Sequence, residues 1–110
     1  MTTEEKVKKI AEVLNKRKAE DVQIRKVSDL TIVTDYFVLA TGTSNTQIKS
    51  LANEVEYQLE QEGEHGRMEG KTSDWILLDY GDVICHFFLP DAREHYNLER
   101  LWADAEIVNL

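Results

Sequence analysis

Residues 75–90 read WILLDYGDVICHFFLP. Two apolar runs flank Gly81-Asp82, a pair of the Gly-X kind that closes a tight two-residue hairpin. With Tyr80 opposite Val83, the register follows along both arms. Leu78 faces Cys85 and Ile76 faces Phe87, on the side that carries Tyr80 and Val83. The other side pairs Asp79 with Ile84, Leu77 with His86 and Trp75 with Phe88. The first side is almost wholly apolar and requires a cover of amphipathic helices. The second is too hydrophobic for a plain solvent face and too polar for a comfortable core. Aromatic groups around one carboxylate and one imidazole have the composition of a protein interface. The alternative is a second buried face, with Asp79 and His86 hydrogen-bonded to each other across the strands.

The helical cover is readable on either side of the chain's first strands. TTEEKVKKIAEVLNKRK opens with Thr2 and Glu5 at capping-box spacing, and Val7, Ile10, Ala11 and Leu14 recur at helical intervals. Its basic run Lys16, Arg17, Lys18 falls in the last turn, where cations suit the helix dipole. DVQIRKV alternates as a half-exposed strand does. SDLTIVTD reads as a short connection of one helical turn, and YFVLATG as a strand apolar on both faces and therefore central. Ser44 and Gln47 form a second capping box, before a long helix whose stripe of Ile48, Leu51, Ala52, Val55 and Leu59 ends at Gly63. EGEHGRMEGKTSD is a polar loop with a short edge strand near Arg67–Glu69. After Pro90, one or two short helices follow, and Arg93, Tyr96, Leu98, Leu101 and Trp102 supply large groups to pack the end of the sheet. With no repeat and no linker, residues 1–110 read as a single α/β domain.

Charge is distributed unevenly. Residues 1–27 hold eight Lys/Arg and five Asp/Glu, a net of +3, whereas residues 28–110 hold five and sixteen, a net of −11. So acidic a body repels phosphate backbones and attracts a basic partner, which argues against sequence-specific nucleic-acid binding. The same charge also serves simple solubility. One cysteine, Cys85, excludes a disulfide framework within the chain and fits a reducing compartment. The N-terminus lacks the apolar core of a signal peptide and no stretch is long enough to span a membrane, so a cytoplasmic protein is expected.

Catalytic arrangements find little support. The Gly42–Ser44 loop opens a helix, as phosphate-binding loops do. Nucleotidyltransferases combine such a loop with two metal-holding carboxylates, but Asp79 and Asp82 are spaced D-x-x-D across a turn and need not converge. A nucleotide-binding or nucleotidyl-transferring enzyme built on this loop is the alternative reading. Cys85 and His86 point to opposite faces of one strand and cannot act as a catalytic pair. His65, His86 and His95 lack metal-ligand spacing, so neither a metal nor another cofactor is implied.

Taken together, TDYFVLATGTSNTQIKSLANEV, the EG of residues 69–70, WILLDYGDVICHFF and AREHYNLERLWADA resemble the Iojap family, whose bacterial members are ribosomal silencing factors. The likeness runs from about residue 20 to residue 105 in order and with compatible spacing. It implies a mixed β-sheet flanked by helices, of nucleotidyltransferase-like topology without the catalytic carboxylates, and a non-enzymatic role. It further implies binding to the large ribosomal subunit through its basic protein number fourteen. That contact would block joining of the small subunit and repress translation when nutrients are limiting. Carried over residue by residue, the partner surface comprises Trp75, Leu77, Asp79, Tyr80, Asp82 and His86, rimmed by Glu69 and Gly70. Tyr80 departs from the hairpin register, which sets it on the core side. The same apolar face also suits a symmetric homodimer in the free state.

Overall fold

Helix α1 (Thr3–Lys16) starts at Thr2, whose hydroxyl accepts from the Glu5 N–H while the Glu5 carboxylate accepts from the Thr2 N–H, the capping box read from the sequence. Val7, Ile10, Ala11, Val13 and Leu14 form its buried face. Of the basic run, only Lys16 lies in the last helical turn; Arg17 is the C-cap and Lys18 turns out of the helix at a φ of 59°. The computed structural model describes residues 1–96, 100 and 103–108, with Lys71 and Tyr96 described in backbone only. The expected packing of Tyr96, Leu98, Leu101 and Trp102 on the end of the sheet lies outside the described side chains.

Strands β1 (Glu20–Lys26) and β2 (Tyr36–Thr41) pair antiparallel. The turn between them closes on Val27, whose carbonyl accepts from the N–H groups of Leu30 and Thr31. Helix α2 (Asn45–Gln61) is capped by the Ser44 hydroxyl, which accepts from the Gln47 N–H. The reciprocal half of that predicted capping box is not made. Gln47 Oε1 instead accepts from both the N–H and the hydroxyl of Thr43. Gly63, at a φ of 80°, ends the helix in the left-handed conformation that a side chain would strain.

The remaining elements are β3 (Arg67–Thr72), longer than the predicted edge strand, β4 (Trp75–Asp79), β5 (Val83–Phe88), the short helix α3 (Pro90–Tyr96) and β6 (Glu106–Ile107), which no sequence pattern announced. They complete a six-stranded mixed sheet in the order β3-β4-β5-β2-β1-β6, in which β2 and β5 run parallel and the other neighbours antiparallel. The hairpin register is the one read from the sequence, from Trp75 opposite Phe88 to Asp79 opposite Ile84. Its turn is closed by the Tyr80 N–H donating to the Val83 carbonyl, with Gly81 at a φ of 85°. No helix among the described residues is long and apolar enough to cross a membrane.

Both faces of this sheet are covered, but unequally. On the inner face, α1 and α2 lay their stripes over Ile24, Val38, Ala40, Ile76, Leu78, Cys85 and Phe87. On the outer face the cover is thin. Ala92 of α3 sits on Leu39 and Phe88, and Ala105 with Val27 sits on Phe37 and Ile84. Arg93 pins α3 in place by donating from Nη1 to the Asp21 carbonyl and the Thr41 hydroxyl, both at 2.7 Å. The Asp21 carbonyl is available because β1 bulges between Glu20 and Gln23, with Asp21 at a φ of 48°.

Leu78 is fully buried between sheet and helices, so Leu78→Ala is expected to lower stability by about 2–5 kcal/mol. Ser44→Ala, which removes one exposed cap, is expected to cost about 1 kcal/mol. Urea denaturation of both variants checks the ranking.

Candidate protein-binding face

The outer face of β3, β4 and β5 is laid out by the register. One row runs Arg67, Asp79, Ile84 and on to Phe37 of β2; the next runs Glu69, Leu77, His86 and Leu39. Trp75 and Phe88 head a third row. Along these rows burial falls off towards the β3 edge. Ile84, His86 and Phe88 are 8%, 4% and 1% exposed under the alanine cover, whereas Trp75, Leu77, Asp79 and Glu69 are half-buried. The two readings of this face in the sequence therefore divide it between them: its β5 part is core and its β4–β3 part is surface.

His86 is the hinge between the two parts. Its Nδ1 accepts a hydrogen bond from Trp75 Nε1 at 3.1 Å, a partner the sequence assigned instead to Asp79. A nitrogen that accepts carries no proton, so the bond sets the neutral ring as the Nε2–H tautomer. The imidazole stacks on Phe88 with centroids 5.8 Å apart and meets the edge of Phe37 at 5.3 Å. Trp75 stacks on Phe88 at 5.4 Å. The indole is thereby held as a rigid platform, with one side on the core and the other turned outward. Asp79 uses Oδ1 to accept from the Gly81 N–H at 2.7 Å, bracing the turn. Glu69 lies 3.4 Å from Arg67 Nε across an exposed contact of the kind that contributes little to stability.

Three of the residues carried over to the partner surface are not on this face. Gly70 pairs with Ile76 and so belongs to the inner side of β3, beside a groove of about 290 Å³ between that strand and α2. Tyr80 also lies inward, its ring packed so closely on Gly66 that a Cβ there would come within 2.8 Å. Burial pushes its phenol pKa up, and the hydroxyl has no hydrogen-bond partner among the described residues. Asp82 projects from the turn onto α1. Its carboxylate takes Lys6 Nζ at 2.8 Å and the Thr3 hydroxyl at 2.7 Å. Lys6 is itself 6% exposed, sits 3.6 Å from Glu64 and lies 5.7 Å over the Tyr80 ring. A sequence signal for this clasp existed: Lys6 stands on the apolar stripe of Ile10 and Val13, where a buried ammonium demands a carboxylate.

The arrangement considered for nucleotidyl transfer is not assembled. Gly42 donates its N–H to the Phe88 carbonyl at one end of β5, while the Asp82 carbonyl accepts from Asp35 and Tyr36 at the other. A strand of six residues, roughly 20 Å long, separates the loop from the aspartates. Asp79 and Asp82 moreover lie on opposite sides of the sheet. Cys85 is fully buried, and burial pushes its thiol pKa up, so it is a core side chain and no nucleophile. Among the described residues, no three His, Cys, Asp or Glu side chains gather as metal ligands do.

A family described as ribosomal silencing factor during starvation matches residues 1–110. The chain belongs to that family. It is 38% identical to a ribosomal silencing factor of Bacillus subtilis over 96 residues, covering 86% of this chain and 81% of the relative. A solved crystal structure of a protein from Chromobacterium violaceum superposes with a TM-score of 0.89 at 37% identity, over 94% of this chain and 88% of that one. In the mouse, a protein named for mitochondrial assembly of the ribosomal large subunit is 30% identical, over 84% of this chain and 43% of its own length. The mixed sheet flanked by helices is thus the fold of ribosomal silencing factors, a family of translation regulators.

Burial pushes the Asp82 carboxyl up, but the hydrogen bonds from Lys6 and Thr3 outweigh it and hold the pKa below its ordinary value. A carboxyl depressed on folding stabilises fully above its unfolded pKa, about 4, and loses that contribution as pH falls through the lower folded value. Asp82→Asn is therefore expected to be less stable than the parent at pH 7, with the difference closing below about pH 4. Thermal unfolding across that range measures it.

Proposed function

We propose that the chain binds the large ribosomal subunit through the basic protein number fourteen of that subunit, and so keeps the small subunit from joining. The observation that carries this reading is the β4–β3 part of the outer face. Trp75 and Leu77 stand half-buried on a sheet, with Glu69 beside Leu77 in its row and Asp79 in the next. A rigid aromatic platform with carboxylates at its border suits a basic protein surface: the apolar groups supply affinity and the charges supply approach and register. Family membership and the large-subunit name of the mouse relative support a ribosomal partner in general terms. Exclusion of the small subunit is steric and needs no catalytic group. It operates in the cytoplasm, where the subunits meet, and lowers translation under nutrient limitation.

In this proposal Trp75, Leu77, Asp79 and Glu69 touch the partner, while His86 orients Trp75 from below. Asp82 and Tyr80 act at one remove by fixing the turn beneath Asp79, and Gly70 leaves the β3 backbone open to approach.

Co-sedimentation with separated ribosomal subunits tests the reading. Binding to the large subunit alone, with fewer joined ribosomes as protein is added, is the expected result. Loss of a buried anchor of this kind commonly costs about 2 kcal/mol, so Trp75→Ala and Leu77→Lys are expected to weaken binding roughly thirtyfold. Circular dichroism of each variant separates this loss from unfolding. Parental affinity in both variants would remove this surface from the mechanism.

A further inference from the structure

The connection between β1 and β2 carries a second apolar feature. Leu30, Ile32 and Val33 are 48%, 104% and 71% exposed, three of the six large hydrophobic residues that are exposed among the described residues. Isolated exposed aliphatics are ordinary, but three within four positions form a patch. The loop backbone is held in place around them. The Leu30 and Thr31 N–H groups donate to the Val27 carbonyl, Val33 N–H donates to the Thr31 hydroxyl, and Val27 N–H donates to the Asp35 carbonyl at 2.8 Å. Thr34 is buried at its base. The tip is therefore presented on a fixed stem.

Its position is equally specific. Asp35 N–H donates to the Asp82 carbonyl at 3.0 Å, so the loop stands at the end of the sheet where the β4–β5 turn and Asp79 lie. Exposed Asp29 and Asp35 flank the tip, and no Lys or Arg occurs from Val27 to Ile48. Those charges select among occupants. An anionic membrane surface would be repelled, since apolar membrane anchors rely on basic neighbours. A second copy would bring the same aspartates against these. A basic protein with an apolar recess satisfies both the aliphatic tip and its acidic collar.

We propose that Ile32 and Val33 are a second anchor for the basic ribosomal protein, engaging an apolar recess beside the surface that meets Trp75 and Leu77. This rests on the proposed function and extends its contact around the end of the sheet. The double variant Ile32→Ser/Val33→Ser tests it, because both side chains project into solvent and the fold does not use them. Its melting temperature is expected to match the parent's, while its Kd for purified large subunits rises by about tenfold or more. Parental affinity in the double variant would overturn the anchor and leave the Trp75 surface standing. Failure of the parent itself to bind large subunits would overturn both readings. Light scattering and co-sedimentation with phosphatidylglycerol vesicles accompany the measurement. A parental dimer or vesicle association that the double variant loses, with ribosome binding unchanged, would assign the tip to self-association or to lipid and overturn the proposal.

Discussion

Strands β2 and β5 lie side by side in parallel, and every residue of both is buried. A parallel pair of this kind needs cover on both faces and a crossover long enough to bring the chain back. The two helices supply the inner cover and α2 begins the return. Outside, the cover is the short α3 and the stretch around Ala105, which approach closely because their contact residues are alanines. That economical outer layer stops at β5. Beyond it, β4 and β3 continue the sheet with their outer side chains only half-buried, and this is where Trp75 and Leu77 stand. The candidate binding face is the remainder of a sheet wider than its lid.

Polar groups near the hairpin tip divide into two tasks that the linear sequence does not separate. Asp79 and His86 serve the outer side, bracing the turn and orienting the indole. Asp82, three positions from Asp79, serves the inner side by holding a buried lysine of α1. A charge pair this enclosed gains less than its distance suggests, because both ions lose water. Its clearer effect is geometric: it fixes the tip of the hairpin against the start of α1, so that the outer face is presented on a rigid edge.

Most of the fold could be read from local patterns. The hairpin register, both helical stripes, the central strand and the stop of α2 at Gly63 all follow from side-chain period and turn chemistry, because these signals are carried by neighbours in sequence. What escaped depends on distant contacts. Strand β6 has two residues and exists only as a partner of β1. The Trp75–His86 bond replaced the Asp79–His86 pair because His86 sits under the indole edge, a matter of side-chain packing beyond register. The eight candidate partner residues were drawn from two short motifs, yet a strand alternates faces and a turn reverses direction. Five of them, Glu69, Trp75, Leu77, Asp79 and His86, share the outer side, whereas Gly70, Tyr80 and Asp82 go inward. The exposed Ile32 and Val33 could be found only from the structure, since a short connection read from sequence does not say which of its side chains face solvent.

The clasp between Lys6 and Asp82 joins positions 76 apart in the chain, and β2 finds its parallel partner only after the hairpin has been made. During synthesis the N-terminal part emerges first. Helix α1 and strand β2 are therefore exposed to the cell while their partners are still inside the exit tunnel, with an uncompensated lysine on one and apolar side chains on both faces of the other. A product terminated before Val83 leaves one edge of Tyr36–Thr41 without its parallel partner. An incomplete chain is thus marked by an open strand edge, which is a ready template for wrong pairing.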